Sequence, residues 1–420
     1  MTGEQGEPTP DPAALPGPIT VVHNRYQQRA GEDAEVDAEI ANLADHGHVV
    51  RRFIVDNDSI RGAGRAAKVR LAIETVWSRR AARQLSEAVR QDRSAIVHIH
   101  NTFPLLSPAI YGALDWTGAA IVQSIHNYRP ICPSANLFRD GRNCTDCVGR
   151  RFAFPAIVHA CYRESRGGSA VVAAMLAAGR VTKAWEGTVD RFIAPSQTVA
   201  ETLAGPAIPR DRIVVKPNFV GGDPQPGTWT ERDDTYLYAG RLAPEKGIRT
   251  IPAAWARLGG LAALCRIAGS GPLDEEVGAV AVADPRIAML GTLNRSALFD
   301  ELRRARALIF PSIWREPFGL TIVEAFASGT PVIAARFGAP ADLIQDGVTG
   351  LFFRPGDADD LAGRIRWASS HPAEMAEMGR RARQEYELRF TADVNYRVLI
   401  DIYRQAVAHR QGRTRNLPRD

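Results

Sequence analysis

Residues 236–247 read Tyr-Leu-Tyr-Ala-Gly-Arg-Leu-Ala-Pro-Glu-Lys-Gly. An apolar run suited to a buried strand breaks at Gly240, and the cations Arg241 and Lys246 follow. Charges in that position stand at the carboxyl end of a strand, where open α/β sheets hold their ligands. Working outward, the pattern repeats. Cys265–Ala268, Ile287–Leu290, Ala307–Phe310 and Pro331–Ala334 are further apolar runs with helical stretches between them. They do not alternate apolar with polar, so they read as strands covered on both faces, as in a parallel sheet. Upstream, Ile19–Val22, Val49–Val55, Ala95–Val97, Ala119–Val122, Arg191–Ala194 and Ile213–Val215 form a similar series. Its first helix, about 33–46, carries Val36, Ile40 and Leu43 on one face and stops at Gly47. Two βα series predict an α/β protein of two doubly wound, Rossmann-like domains, with the cleft between them as the default ligand site.

The break falls at Gly221-Gly222-Asp223-Pro224-Gln225-Pro226-Gly227, a linker composition. The expected boundaries are a disordered tail over 1–17, an acceptor-side domain over 18–220 with a cysteine-rich insertion at 128–168, and a second domain over 221–390. A helix and basic tail over 391–420 is expected to return to the first domain. The 420 residues are 45% hydrophobic and 24% charged, the balance of a soluble globular chain. The start has neither a basic cluster nor an apolar stretch, which argues against a secretory signal and for a cytoplasmic protein. Net charge is +5, and nine Lys/Arg stand against three Asp/Glu between Arg61 and Arg93. That stretch suits an anionic membrane surface, equally a solvated helix face. Trp77 is its lone aromatic, so a nucleic-acid stacking platform ranks last among the readings.

A second strand end, Phe310-Pro311-Ser312, leads to Glu316-Pro317-Phe318-Gly319-Leu320 and then Glu324. A helix starting at Gly319 would offer free N–H groups and a positive dipole end to an anion. Glu316 precedes that helix and Glu324 lies about a turn inside it, so one ligand can touch both. Carboxylates suit sugar hydroxyls because each oxygen accepts hydrogen bonds.

Together with Ala268-Gly269-Ser270-Gly271-Pro272, these motifs resemble the retaining glycosyltransferase family 4, of GT-B fold, over roughly 18–400. His23-Asn24-Arg25-Tyr26-Gln27-Gln28, Gly47-His48-Val49, Val97-His98-Ile99-His100-Asn101 and His126-Asn127-Tyr128-Arg129 resemble the branch that builds bacterial surface polysaccharides. The resemblance implies that Arg241 and Lys246 hold the nucleotide diphosphate as it leaves, and that Glu324 binds the ribose hydroxyls. Glu316 would lie at the donor sugar's hydroxyls, with Gly240 and the backbone of Phe318, Gly319 and Leu320 beside sugar and phosphate. Gly269 and Gly271 would border the nucleoside, His126 the donor sugar, and Gly31 the acceptor side. The sequence departs from the family at Ala30-Gly31, where Gly-Gly is usual, and at Gly338-Ala339 and Asp342 in the late loop. It implies a nucleotide-sugar donor, a glycan or lipid-linked acceptor, work at the inner face of the plasma membrane, and no cofactor for catalysis. A nucleotide-sugar epimerase and a non-catalytic nucleotide-sugar-binding subunit are the alternatives on the same fold.

Cys132, Cys144, Cys147 and Cys161 are separated by eleven, two and thirteen residues. Four thiolates so grouped can close a structural zinc site; four reduced thiols, some buried, are the alternative. Asp56-Asn57-Asp58 and Asp357-Ala358-Asp359 have a metal-binding spacing, but they read as a turn and a helix cap.

Overall fold

The structure is a computed structural model that describes residues 15–27, 31–62, 64–222 and 224–415. It resolves into two compact units. The first comprises residues up to Ala135, Thr145–Lys216 and Asp393 onward; the second comprises Asn136–Cys144 and Pro217–Ala392.

The first unit is built on β1 (Ile19–Arg25), β2 (Val50–Asp56), β3 (Ile96–Ile99) and β4 (Ala120–Ser124), with the later strands β7 (Arg191–Ala194) and β8 (Ile213–Val215). A short hairpin, β5 (Phe138–Arg139) with β6 (Arg142–Asn143), stands between them in sequence. The sheet order is β2-β1-β3-β4-β7-β8. Every pair in it whose register is fixed runs parallel. Helix α1 (Gly31–Asp45) buries Val36, Ile40 and Leu43 against Ile19, Val21 and Ile96. Gly47, at φ +82°, takes the left-handed conformation that ends it. The last helix, which we label α5 (Ala392–Arg415), adds Tyr396, Leu399, Ile400 and Tyr403 to the same core.

The second unit holds β9 (Thr235–Ala239), β10 (Leu264–Ala268), β11 (Ile287–Gly291), β12 (Ala307–Phe310), β13 (Val332–Ala335) and β14 (Gly350–Phe353), in the order β11-β10-β9-β12-β13-β14. These strands also pair in parallel. Apolar clusters cover both faces, around Trp255 on one and Phe326 on the other, as the unbroken apolar runs require. The order turns back on itself at β9, whose neighbours are β10 and β12. In such sheets the crevice for a ligand opens beyond the carboxyl ends at that reversal.

Two boundary expectations need correction, and one strand was missed. Residues 1–14 of the expected tail lie outside the described residues, but Leu15 is not tail. It is buried in the first unit's core, and Pro18 accepts a hydrogen bond from Ala95 N–H at 2.9 Å. Within the cysteine-rich stretch, 136–144 groups with the second unit, where the Asn143 amide donates to the Ile313 carbonyl at 3.0 Å. β14 went unread because Gly350 opens it. A Cβ there would stand 2.1 Å from the Val332 carbonyl oxygen, so packing between neighbouring strands requires glycine.

The same constraint is sharper after β10. Gly269 has φ +134°, and a Cβ on it would fall 1.9 Å from the Gly240 carbonyl oxygen. Gly269→Ala should therefore destabilise the protein by about 3 kcal/mol or more, which is a fall of roughly 5–10 °C in Tm. Gly278, inside helix Asp274–Ala283 with nothing near its Cβ position, is the control. Its change to alanine should raise stability slightly, by about 0.5–1 kcal/mol. Equal melting of the two variants would contradict this account.

Candidate active site

The second unit's chemistry collects where β9 and β12 end. The Gly240–Gly247 loop and the loop after β12 are tied by the Ile313 N–H donating to the Glu245 carbonyl at 3.1 Å. Gly247, at φ +67°, lets them approach, since a Cβ would stand 2.0 Å from the Pro311 carbonyl oxygen. On the other side the Gly240 N–H donates to Ala268, and the Leu242 N–H to Ser270, each at 3.0 Å. Gly271 makes that contact, with its Cβ position 2.4 Å from the Leu242 carbonyl oxygen. Backbone packing thus holds three loops from different strand ends together.

Into this frame Lys246 sends its ammonium, which donates to both oxygens of Glu316 at 2.9 Å. Glu316 is buried, and its Oε2 also accepts from Ser312 Oγ at 2.8 Å and from Trp314 Nε1 at 2.7 Å. Gly240, Lys246, Glu316, Gly319 and Leu320 line one hollow, together with Thr321. Gly319, in the left-handed conformation at φ +101°, precedes helix α4 (Leu320–Ala327), so the positive end of that helix borders the hollow. Arg241 stands exposed, and among the described residues no carboxylate pairs with it. Glu324 sits one turn into α4. Burial raises its carboxyl above the usual range, with Arg295 opposing, and no hydrogen bond to its carboxylate is found among the described residues. The Lys246–Glu316 pair and the start of α4 thus meet at one strand-end crevice, while Arg241 and Glu324 do not line that hollow and adjoin it through Gly240 and Leu320 of the chain.

Phe318 is expected to offer its backbone alone. Its ring is buried in the core, edge-on to Phe390 with 6.4 Å between centroids, so only its backbone is left for a ligand.

In the first unit, His126 is buried with both ring nitrogens engaged. Its Nε2 lies 3.0 Å from His100 Nδ1, and its Nδ1 lies 3.4 Å from Glu35. Behind it, His98 Nδ1 and His100 Nε2 approach Glu39 Oε1 at 2.9 and 3.3 Å. The other Glu39 oxygen accepts from Lys216 at 3.0 Å. Burial pushes the Glu39 carboxyl up, but Lys216 and His98 outweigh it and hold the group well below its usual value. Glu39, His98 and His100 are the one trio of metal-ligating groups gathered closely among the described residues, and the Lys216 ammonium already supplies a cation there. In sequence, His98, His100 and His126 read as lining one cleft or, equally, as satisfied core or rim histidines, whereas Glu39 and Lys216 went unread. The signal was a glutamate at 39, three residues after Val36 and four before Leu43, on the apolar face of α1. Gly31, the acceptor-side candidate, is exposed at the start of α1.

The cysteines do not assemble as expected. Among the described residues, no three of the four sulfurs lie within ligating distance of one another. Cys147 and Cys161 pack with Ala153, Ala156 and Ala173, while Cys132 Sγ meets Ser134 Oγ at 3.2 Å. Cys144 belongs to the second unit, on the hairpin arm, where its N–H donates to Leu137. Asp56 and Asp357 are both caps, accepting from the N–H groups of Asp58 and Asp360.

Burial alone would lower the pKa of His126, but Glu35 and Glu32 outweigh it and raise the group to about 9. Its titration should therefore be found near pH 9 by NMR, and Glu35→Gln should move it down. Because the folded value exceeds the unfolded one of about 6.5, the stability it contributes is complete below that value and is lost as pH climbs through about 9. A midpoint at or below 6.5 in the wild type would contradict the geometry.

Comparison with known proteins follows the division into units. Residues 36–221 match the family described as Glycosyltransferase Family 4, and residues 223–385 match Glycosyl transferases group 1. Glycogen synthase of Mycobacterium tuberculosis is 32% identical over 191 residues, 44% of each chain. The D-rhamnosyltransferase WbpZ of Pseudomonas aeruginosa is 29% identical over 218 residues, 49% of this chain and 56% of that one. The chain thus spans about half the length of these curated relatives. Among solved structures, HepE of Anabaena, crystallised with UDP, superposes with a TM-score of 0.64 at 16% identity, over 92% of this chain and 99% of that one. Sucrose-phosphate synthase of Thermosynechococcus elongatus superposes at 0.65 with 20% identity, over 93% and 99%. The chain therefore has the GT-B fold and carries two glycosyltransferase domains, a family 4 domain followed by a group 1 domain.

Proposed function

We propose that the protein is a retaining glycosyltransferase that moves a sugar from a nucleoside-diphosphate donor to a glycan or lipid-linked acceptor, in the synthesis of a cell-surface polysaccharide or glycolipid. The observation that carries this reading is the crevice at the ends of β9 and β12. The Lys246–Glu316 pair stands there beside the start of a helix, with exposed Arg241 next in sequence to Gly240 and Glu324 one turn into that helix.

Each group has a role set by charge. Breaking the anomeric bond leaves a positive sugar and a diphosphate of greater negative charge. Arg241, Lys246 and the N-terminal end of α4 stabilise that developing charge where it forms. Glu324 accepts from the ribose hydroxyls, which offsets the cost of its burial. Glu316, fixed by Ser312 and Trp314, accepts from the sugar's hydroxyls. Gly269 and Gly271 let the loop after β10 pack against the Gly240–Leu242 backbone on the nucleoside side of the crevice, and the backbone of Phe318, Gly319 and Leu320 borders the sugar and phosphate. In a retaining reaction the acceptor enters on the face the diphosphate leaves, and a phosphate oxygen takes the acceptor's proton, so no protein nucleophile is assigned. His126 acts on the donor sugar and Gly31 on the acceptor side. Catalysis needs no metal on this reading. HepE was crystallised with UDP, which makes a uridine nucleotide the first donor to test.

The acceptor side faces an anionic membrane. Helix α2 (Arg65–Val76) exposes Val69 and Ile73, at 62% and 65%, among Arg65, Lys68 and Arg70. No helix among the described residues is long and apolar enough to cross a bilayer, so such contact would be peripheral.

UDP at about a hundred times its Kd should stabilise the wild type by about 2.7 kcal/mol, read as a concentration-dependent rise in Tm. Glu324→Ala should remove the rise. Arg241→Ala should cut turnover by about a hundredfold or more while its own melting stays unchanged. If none of UDP, GDP, ADP and dTDP raises Tm, the donor-site reading is wrong.

A further inference from the structure

The first sheet has its own reversal at β1, whose neighbours are β2 and β3. A hollow of about 320 Å³ opens near the ends of those strands, the scale of a site for an organic ligand rather than a lone ion. Its lining holds three cations, Lys68, Arg129 and Arg163, and no described carboxylate. Leu71, Val171 and Val172 supply apolar surface beside them.

Arg129 is the informative residue. Its guanidinium lies 4.3 Å from the centroid of Phe103 and 5.5 Å from that of Tyr162. One N–H donates to the Pro133 carbonyl. Among the described residues no carboxylate reaches ion-pairing distance. The nearby Glu32 instead accepts from the Tyr26 hydroxyl at 2.9 Å. Burial pulls the guanidinium's pKa down. A charge in such surroundings is ordinarily paired, and this one stands at the wall of a cavity with N–H groups to spare.

The rim is held open at some cost. Ala160, Arg163 and Glu164 all adopt left-handed backbone, with φ of 50°, 50° and 54°, a strain that surrounding structure must sustain. That segment presents Tyr162 and Arg163 to the hollow. Gly168, in helix α3 (Arg166–Val181), gives the Tyr162 ring its room, for a Cβ there would lie 3.2 Å from the ring.

We propose that this hollow binds an anionic amphiphile, a phosphate ester whose oxyanion sits on Arg129 with Lys68 and Arg163 while its apolar or sugar portion lies along Leu71 and Val172. If the transferase reading holds, this ligand is the acceptor, and the inference rests on that reading for the ligand's role alone. The phosphate ester has two sources, a membrane lipid or a soluble sugar phosphate.

Calorimetric titration of the full chain with dihexanoyl phosphatidic acid, glucose 1-phosphate and inorganic phosphate separates them. At least one ester should bind more tightly than inorganic phosphate, and its affinity should fall at higher salt. Preference for the lipid phosphate assigns a lipid source, and preference for glucose 1-phosphate a soluble one. Arg129→Met should weaken the bound ester about tenfold or more, while Lys246→Met leaves it unchanged. UDP binding should show the reverse dependence. Should Arg129→Met fail to fold, the double variant Lys68→Met with Arg163→Ser, at two exposed positions, should weaken the ester about fivefold or more. Ester binding indifferent to these changes, or lost with Lys246→Met, would overturn the proposal even with UDP binding intact. UDP that fails to bind while the ester does would instead sink the transferase reading and leave this site standing.

Discussion

The second unit depends on the pairing of Lys246 with Glu316. Both come from loops that follow neighbouring strands, and neither loop could adopt its path without glycine at 247 and 338. A Cβ at Gly338 would stand 2.7 Å from the Glu316 amide nitrogen, and the Ala339 N–H donates back to the Glu316 carbonyl. Glu316 is thereby fixed at both backbone and side chain. Removing one partner of a buried ion pair costs about 3–5 kcal/mol, because it strands the other charge. Here the Ser312 and Trp314 donors would still serve Glu316 if Lys246 turned to a ligand. The carboxylate is thus held firmly by neutral donors, and the cation is the member free to move.

That asymmetry matters because charge must be placed before a ligand arrives. A lysine that spans both oxygens of a fixed glutamate is held beside the crevice, so it has only to turn from that carboxylate when an anion enters. Arg241 takes the opposite form, exposed and without a carboxylate partner. One cation is organised by the protein and the other is left for the ligand to organise, while the nearby helix end contributes a dipole that needs no movement.

The architecture was legible because burial on both faces leaves no polar alternation, so apolar runs alone marked most of the strands. Lys246, Glu316 and the start of α4 were legible too, since strand ends announce themselves by glycine and proline. What was not legible depended on residues far apart in sequence. Nothing near 39 says that Lys216 will neutralise it, and nothing near 129 places Phe103 and Tyr162 around a guanidinium. The cysteine spacing misled for the same reason. Spacing limits which sulfurs can meet, but the path of the hairpin arm decides whether they do, and Cys144 follows that arm into the second unit. The end of the expected tail was misread for a local reason, because a single buried Leu15 leaves no periodicity to read.

The first unit handles buried charge by two different routes, and the contrast bears on function. Glu39 is compensated by Lys216, with Asn395 accepting another N–H from the same ammonium at 3.0 Å. That joins α1, the end of β8 and helix α5 around one carboxylate, and it fixes the histidine pair that backs His126. Arg129 has aromatic faces and a carbonyl, and Glu32 acts on it from a distance, but no carboxylate among the described residues reaches ion-pairing distance. Cation–π contact contributes about 0.5–2 kcal/mol, less than a desolvated charge needs. A fold that satisfies Glu39 so fully sets the contrast for half-buried Arg129: no described carboxylate pairs with it, and the proposed ligand's oxyanion takes that place.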